Sequence, residues 1–147
     1  MEPLPGRDFL GVAQYIMDAP LRDYFDQQLE AVLETLPQQV HDLFEQVPLF
    51  VEDYPSEKVM RQMNVRRREN LCGLYTGIPL TNRRVDHSGV LSDVIHVFRE
   101  GVLAQSLDAT GEINERELRR QIRITVLHEL GHHHGLDEDQ LSELGYG

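Results

Sequence analysis

The segment His128-Glu129-Leu130-Gly131-His132 combines residue types that hold and use a metal ion. Consecutive residues of a helix are about 100° apart, so His128 and His132 share one face, about one turn from each other. Imidazole nitrogens bind Zn²⁺ at about 2.0 to 2.2 Å, in a tetrahedron that keeps one position open at catalytic sites. The spacing therefore predicts one Zn²⁺ per chain between these two rings.

Glu129 stands between the two histidines in a position suited to proton transfer. It is roughly 100° around the helix from His128, close to the metal without being a ligand. Zinc lowers the pKa of a bound water to about 7, and a neighbouring carboxylate can then accept its proton. The HExxH pattern thus predicts hydrolysis by activated water, with Glu129 as general base.

The residues after the motif offer a third ligand. Gly135 follows His132 by three residues, and glycine permits the positive φ that a sharp reversal of the chain requires. In the metzincin-like arrangement HExxHxxGxx(H/D) the third ligand is three residues beyond the glycine, which selects Glu138. Asp137 is the runner-up, and Asp139 remains an alternative.

Other reactive side chains have simpler interpretations. His133 and His134 point away from the metal-facing side of the helix, which favours packing, support of the ligands or surface exposure. His96 is expected to be a half-buried strand residue. Cys72 is expected to be a small buried residue, because the sequence offers it no partner base.

Hydrophobic periodicity predicts the elements that position the motif. Apolar residues recur with helical spacing from Phe25 to Leu36, and this helix should start at Leu21 and end before Pro37. Three short strands follow, at 49–51, 71–75 and 94–98, the second of them studded with Gly and Pro as edge strands are. A long helix then runs from the cap Asn114, with Glu117 in the capping-box position, to Gly135. This order predicts an α+β fold, with a small mixed sheet backed by helices and the HExxH helix at the floor of a cleft.

Composition limits the remaining possibilities. The 147 residues include 25 acidic and 14 basic side chains, a net charge of −11, which argues against a nucleic-acid partner. No apolar run approaches the roughly 20 residues that cross a bilayer, so no membrane association is expected. A single cysteine fits a reducing compartment and hence the cytoplasm. We expect an N-terminal extension over residues 1–20 and one domain over residues 21–147.

Several segments together resemble the small bacterial zincin-like metallopeptidases, also called mini-zincins. The resemblance covers roughly residue 21 to the C-terminus. Its carriers are 33–37 (LETLP), 51–53 (VED), 73–80 (GLYTGIPL), the strand at 94–98, 128–135 (HELGHHHG) and 144–146 (LGY). The resemblance implies a minimal zincin fold with His128 and His132 as zinc ligands, Glu129 as general base and an acid after Gly135 as third ligand.

Two departures from the family pattern matter. The family usually has Asp at the position of Glu138, whose side chain is one methylene longer. Every methionine precedes the motif, so no Met-turn can lie beneath the metal. The resemblance implies that Tyr146 supplies this support instead, and we expect it to be ordered against the metal site.

Two functions compete at this stage. The first is a zinc metallopeptidase that hydrolyses a peptide or protein substrate. The second is a non-catalytic or weakly active zincin-like scaffold that binds an extended peptide or a partner protein through a sheet edge. In both cases we expect the strand at 71–75 to line the cleft, with Gly73 letting a substrate backbone approach. A homodimer is left open.

Overall fold

The computed structural model describes residues 17–77, 93–135, 137 and 139–140. Within these residues the chain forms five α-helices and three β-strands. In chain order they are α1 (Ala19–Thr35), α2 (Gln38–Leu43), β1 (Leu49–Glu52), α3 (Glu57–Gln62), β2 (Gly73–Thr76), β3 (Val94–Phe98), α4 (Arg99–Gln105) and α5 (Glu115–His133), with a short 3₁₀ turn at Arg68–Asn70 before β2. The predicted α+β fold is confirmed.

Helix α1 is the predicted amphipathic helix and starts slightly earlier than expected. Asp18 caps it, since its side chain accepts a hydrogen bond from the backbone N–H of Leu21. Pro20 lies inside the first turn, where its missing N–H costs nothing. The apolar stripe is buried, with Leu21 and Phe25 fully inaccessible to solvent.

The three strands form a mixed sheet in the order β1-β3-β2. β1 runs parallel to the central strand β3, and β2 runs antiparallel to it with Tyr75 opposite Ile95. Among the described residues β2 pairs with β3 alone, so it lies at the edge of this sheet, as predicted.

The hydrophobic core lies between the inner face of the sheet and the long helices. Most of its residues come from α1, β3, α4 and α5 and include Phe25, Ile95, Val102, Ile122 and Val126. Helix α5 packs on α1, on α4 and on the inner face of β2 and β3. The helix that carries the HExxH motif is therefore held from several sides.

Two helices have no counterpart among the sequence-based expectations, and one expected contact differs. The two helices are α4, which directly follows β3, and α3. Asn114 does cap α5 by accepting from the backbone N–H of Glu117, but the Glu117 carboxylate accepts from Gln121 and Arg120. The N-cap at Asn114 is therefore present, while the Glu117 carboxylate bonds to residues further along the helix.

Some expectations fall on residues outside the described part. They include the C-terminal segment with Tyr146 and the predicted third ligand Glu138. Within the described ranges, no helix combines the length and the apolar character that a membrane crossing needs.

Candidate metal centre

Helix α5 brings His128 and His132 together. Their Nε2 atoms are 3.2 Å apart, and their ring planes are nearly perpendicular. Two nitrogens that each lie about 2.05 Å from one tetrahedral Zn²⁺ would be about 3.3 Å apart. The donor types and their separation therefore fit a zinc ion shared by the two rings.

Glu129 joins the same cluster from the buried side of the helix. Its side chain is only 10 % exposed, and Oε2 lies 4.0 Å from Nε2 of His128. Ligand atoms of His128, Glu129 and His132 all lie within 4.8 Å of one another, the one such group able to hold a metal ion in the part of the chain described. The arrangement keeps a carboxylate beside the ion position, where it can accept a proton from water.

The edge strand β2 lies directly against Glu129. A Cβ built on Gly73 would lie 2.8 Å from Cγ2 of Thr125 and 3.3 Å from Cγ of Glu129. The space that glycine leaves is thus occupied by α5, and by the backbone oxygen of His96 at 3.0 Å. The expectation that Gly73 makes room for a substrate backbone was wrong, because its inner side already packs against the motif helix.

α5 is followed by a turn at Gly135 with the positive φ that the sequence predicts. Gly135 has a φ of +82°, and its N–H donates to the carbonyl of His132. Beyond it, Asp137 and Gln140 bond reciprocally: the Asp137 N–H donates to the Gln140 side chain, and the Gln140 N–H donates to Oδ1 of Asp137. Asp137 is exposed, and one of its two carboxylate oxygens is engaged in this turn.

Comparison with known proteins now bears on this geometry. The sequence model of a family described as zincin-like metallopeptidase matches residues 44–147, which is more than two thirds of the chain. The chain belongs to the zincin-like metallopeptidase family. A search of curated proteins found no match. The match includes all three strands, helix α5 and the whole His128–His132 motif of this zincin-like chain.

Next to its motif the zincin-like chain has a buried polar cluster that the sequence analysis missed. Nδ1 of His133 lies 2.9 Å from Oδ2 of Asp93, and both side chains are only 2 % exposed. The Tyr75 hydroxyl is 3.3 Å from the same nitrogen, and the two rings meet edge to face. His133 is thus buried packing, one of the interpretations given above. Its partners are distant in the sequence, which is why the contact was missed. The signal that could have indicated it is the position of Asp93, a carboxylate immediately before the apolar strand β3.

Two further reactive side chains considered in the sequence, His96 and Cys72, have other surroundings. His96 is half-buried in β3, where its Nδ1 is 2.8 Å from a carboxylate oxygen of Glu52 and its ring stacks on Phe98. Cys72 is partly buried just before β2, and burial, together with the charge of Glu129, raises the pKa of its thiol to about 11. A thiol with so high a pKa is a poor nucleophile.

Proposed function

We propose that this protein is a zinc-dependent metallopeptidase that hydrolyses peptide bonds by activated water. The observation that carries the proposal is the 3.2 Å separation of the His128 and His132 nitrogens with the Glu129 carboxylate beside them. The family match over residues 44–147 supports the same class of chemistry. The inferred cofactor is one Zn²⁺ per chain.

His128 and His132 would hold the ion, together with an acidic side chain beyond Gly135. We prefer Glu138 as the third ligand, with Asp137 as runner-up, because Oδ1 of Asp137 already accepts the N–H of Gln140. When bound, zinc supplies a Lewis acid that lowers the pKa of water and polarises a carbonyl group. Glu129 accepts the proton of the attacking water and later delivers it to the leaving amine.

The proposed substrate is a peptide or protein segment in extended conformation. β2 lies at the edge of the described sheet and runs beside Glu129, so its backbone could pair with such a segment. A substrate held there would bring a peptide bond alongside the catalytic carboxylate. We propose a cytoplasmic location, and a homodimer would show as a doubled mass in size-exclusion chromatography with light scattering.

The decisive experiment compares the unsubstituted protein with Glu129→Gln and His128→Ala. Zinc content is measured by elemental analysis of protein purified without added metal, and hydrolysis is followed on a mixed pool of quenched fluorescent peptides. We expect Glu129→Gln to keep the metal and to lose at least about 100-fold in rate, the scale of general acid–base catalysis. His128→Ala should lose both metal and activity.

Two results would contradict the peptidase assignment. A protein without zinc after metal addition would remove its basis. Zinc-loaded protein that binds peptides but cleaves none of them, with the same affinity in Glu129→Gln, would favour the non-catalytic scaffold.

The same zinc titration tests the C-terminal residues. Glu138→Ala should weaken zinc binding more than Asp137→Ala does. We also propose that Tyr146 supports the metal site, so that removing 146–147 lowers zinc affinity roughly ten-fold. Unchanged affinity and an unchanged melting temperature after that truncation would show that Tyr146 has no such role.

A further inference from the structure

The last turn of α5 carries His132, the second proposed zinc ligand. α5 ends at His133, and the backbone N–H groups of His134 and Gly135 donate to the carbonyls of Leu130, Gly131 and His132. These bonds close the last turn on itself, but they do not fix it against the sheet. Helix ends fray when nothing else holds them. Because His128 lies one turn earlier, any fraying would move one ligand relative to the other.

His133 ties this turn to two strands at once. Its Nδ1 meets Asp93, which immediately precedes β3, and lies within 3.3 Å of the hydroxyl of Tyr75 in β2. The His133 and Asp93 side chains are almost completely buried. A buried polar contact is costly to break, because each partner would remain desolvated. We propose that the cluster Tyr75–Asp93–His133 is a tether that positions His132 for zinc binding, a role that rests on the proposed zinc site.

The Asp93 side chain also packs closely against Gly77, just after β2. Gly77 has a φ of +141°, and a Cβ placed on it would overlap Oδ1 of the Asp93 side chain. The backbone just after β2 thus packs against Oδ1 of Asp93, while Nδ1 of His133 lies beside Oδ2. Asp93 is therefore held between β2 and α5, as an anchor for the helix end requires.

His133 is a positioning residue, since the tether acts through the backbone of α5 rather than through contact with the ion. If the tether acts in this way, loss of the contact between Nδ1 of His133 and Asp93 changes the positions of the zinc ligands as well as the stability of the fold. His133→Phe removes the nitrogen and keeps a ring against Tyr75. His133→Asn retains a donor near the position of Nδ1, and serves as the conservative variant.

The test titrates full-length protein with Zn²⁺ against a chelator and records the visible absorption spectrum of the Co²⁺-substituted protein. We expect His133→Phe to weaken zinc binding roughly ten-fold or more, the scale seen when groups supporting ligands are lost, and to shift the Co²⁺ bands. His133→Asn should restore most of the affinity and the spectrum. Asp53→Asn is the stability control, because Asp53 pairs with Arg99 at the opposite end of β3 from Asp93.

Each outcome has a distinct meaning. If the unsubstituted protein binds no zinc, the proposed function fails and the tether's role fails with it. If it binds zinc, and His133→Phe lowers only the melting temperature, as Asp53→Asn is expected to do, the tether proposal alone is overturned. Should His133→Phe not fold, Tyr75→Phe and Gly77→Ala decide: weaker zinc binding with shifted Co²⁺ bands supports the tether, and unchanged binding overturns it.

Discussion

Cys72 shows at the level of one residue how burial beside the HExxH motif changes the chemistry of a side chain. The thiol is partly buried before β2, and burial and the negative charge of Glu129 raise its pKa to about 11 from an ordinary value of 9.0. At pH 8 only about one thiol in a thousand is then ionised. We expect alkylation of Cys72 by iodoacetamide, in chelator-treated protein, to be far slower in the folded state than in urea.

The same shift makes folding stability depend on pH. Because the folded pKa is raised, the neutral thiol contributes its full stability below the unfolded value near 9, and that contribution is lost as the pH rises towards about 11. Urea unfolding across this range should therefore show a decline that is smaller in Cys72→Ala. Rapid alkylation of the folded protein at pH 8, or identical pH profiles, would contradict this account.

Between elements, β2 approaches α5 closely at Gly73. A methyl group there would meet Cγ2 of Thr125 at 2.8 Å, too close for atoms in van der Waals contact. Gly73→Ala should therefore destabilise the fold by about 1–3 kcal/mol, the usual cost of overpacking. The strand should also press on Glu129 and reduce hydrolysis at constant zinc content.

A second substitution tests whether the contact itself is responsible. Thr125→Ser removes Cγ2 and keeps the hydroxyl, so the double variant should recover part of the stability lost in Gly73→Ala. The measurement is urea unfolding of all four proteins in a double-mutant cycle. Strictly additive effects would show that Thr125 is not the obstacle.

Elements that are formed by local interactions along the sequence could be predicted, and those that depend on contacts between distant residues could not. Helices α1 and α5 were predictable, since each buries one stripe of apolar residues and has a local cap, Asp18 and Asn114. Helix α4 was not, because Glu100, Gly101, Val102 and Leu103 are all buried in succession, which removes the amphipathic period. It also follows β3 without a side-chain cap.

The same distinction between local and long-range interactions applies to the candidate site. The pair His128 and His132 depends on a four-residue spacing within one helix, which any helical reading reveals. The contact of His133 with Tyr75 joins residues 58 positions apart, and its contact with Asp93 depends on where β3 begins. Only the folded chain brings them together.

At the scale of the whole molecule, an ion-pair network fastens α1 to the sheet and to α4. Asp53, directly after β1, accepts hydrogen bonds from Arg22 of α1 and from Arg99 at the start of α4. Arg99 also donates to Asp26 of α1, and its side chain is only 12 % exposed. The network therefore links α1, the end of β1 and the start of α4 through charged side chains.

The pKa of Asp53 makes this network sensitive to acid. Burial alone would raise it, but the hydrogen bonds and charges of Arg22 and Arg99 outweigh burial and hold it below the ordinary value of 3.8. A carboxyl group with a lowered folded pKa contributes its full stability above the unfolded value and loses it as the pH falls through the folded value. The contribution of Asp53 should thus be constant near neutrality and disappear in acid.

Asp53→Asn should accordingly lower the free energy of unfolding by about 1–2 kcal/mol at neutral pH, since it keeps the shape and removes the charge from a partly exposed network. The loss should be the same from pH 5 to pH 8 and should shrink below about pH 4, where the unsubstituted carboxyl begins to take up its proton. Urea unfolding of both proteins at a series of pH values measures this difference. Asp42→Asn is the matched control, because Asp42 is exposed on α2 and accepts a hydrogen bond from the neutral Gln38 amide. A difference between Asp53→Asn and the unsubstituted protein that persists undiminished at pH 3, or an equal loss in Asp42→Asn, would show that the charge of Asp53 does not fasten the molecule together.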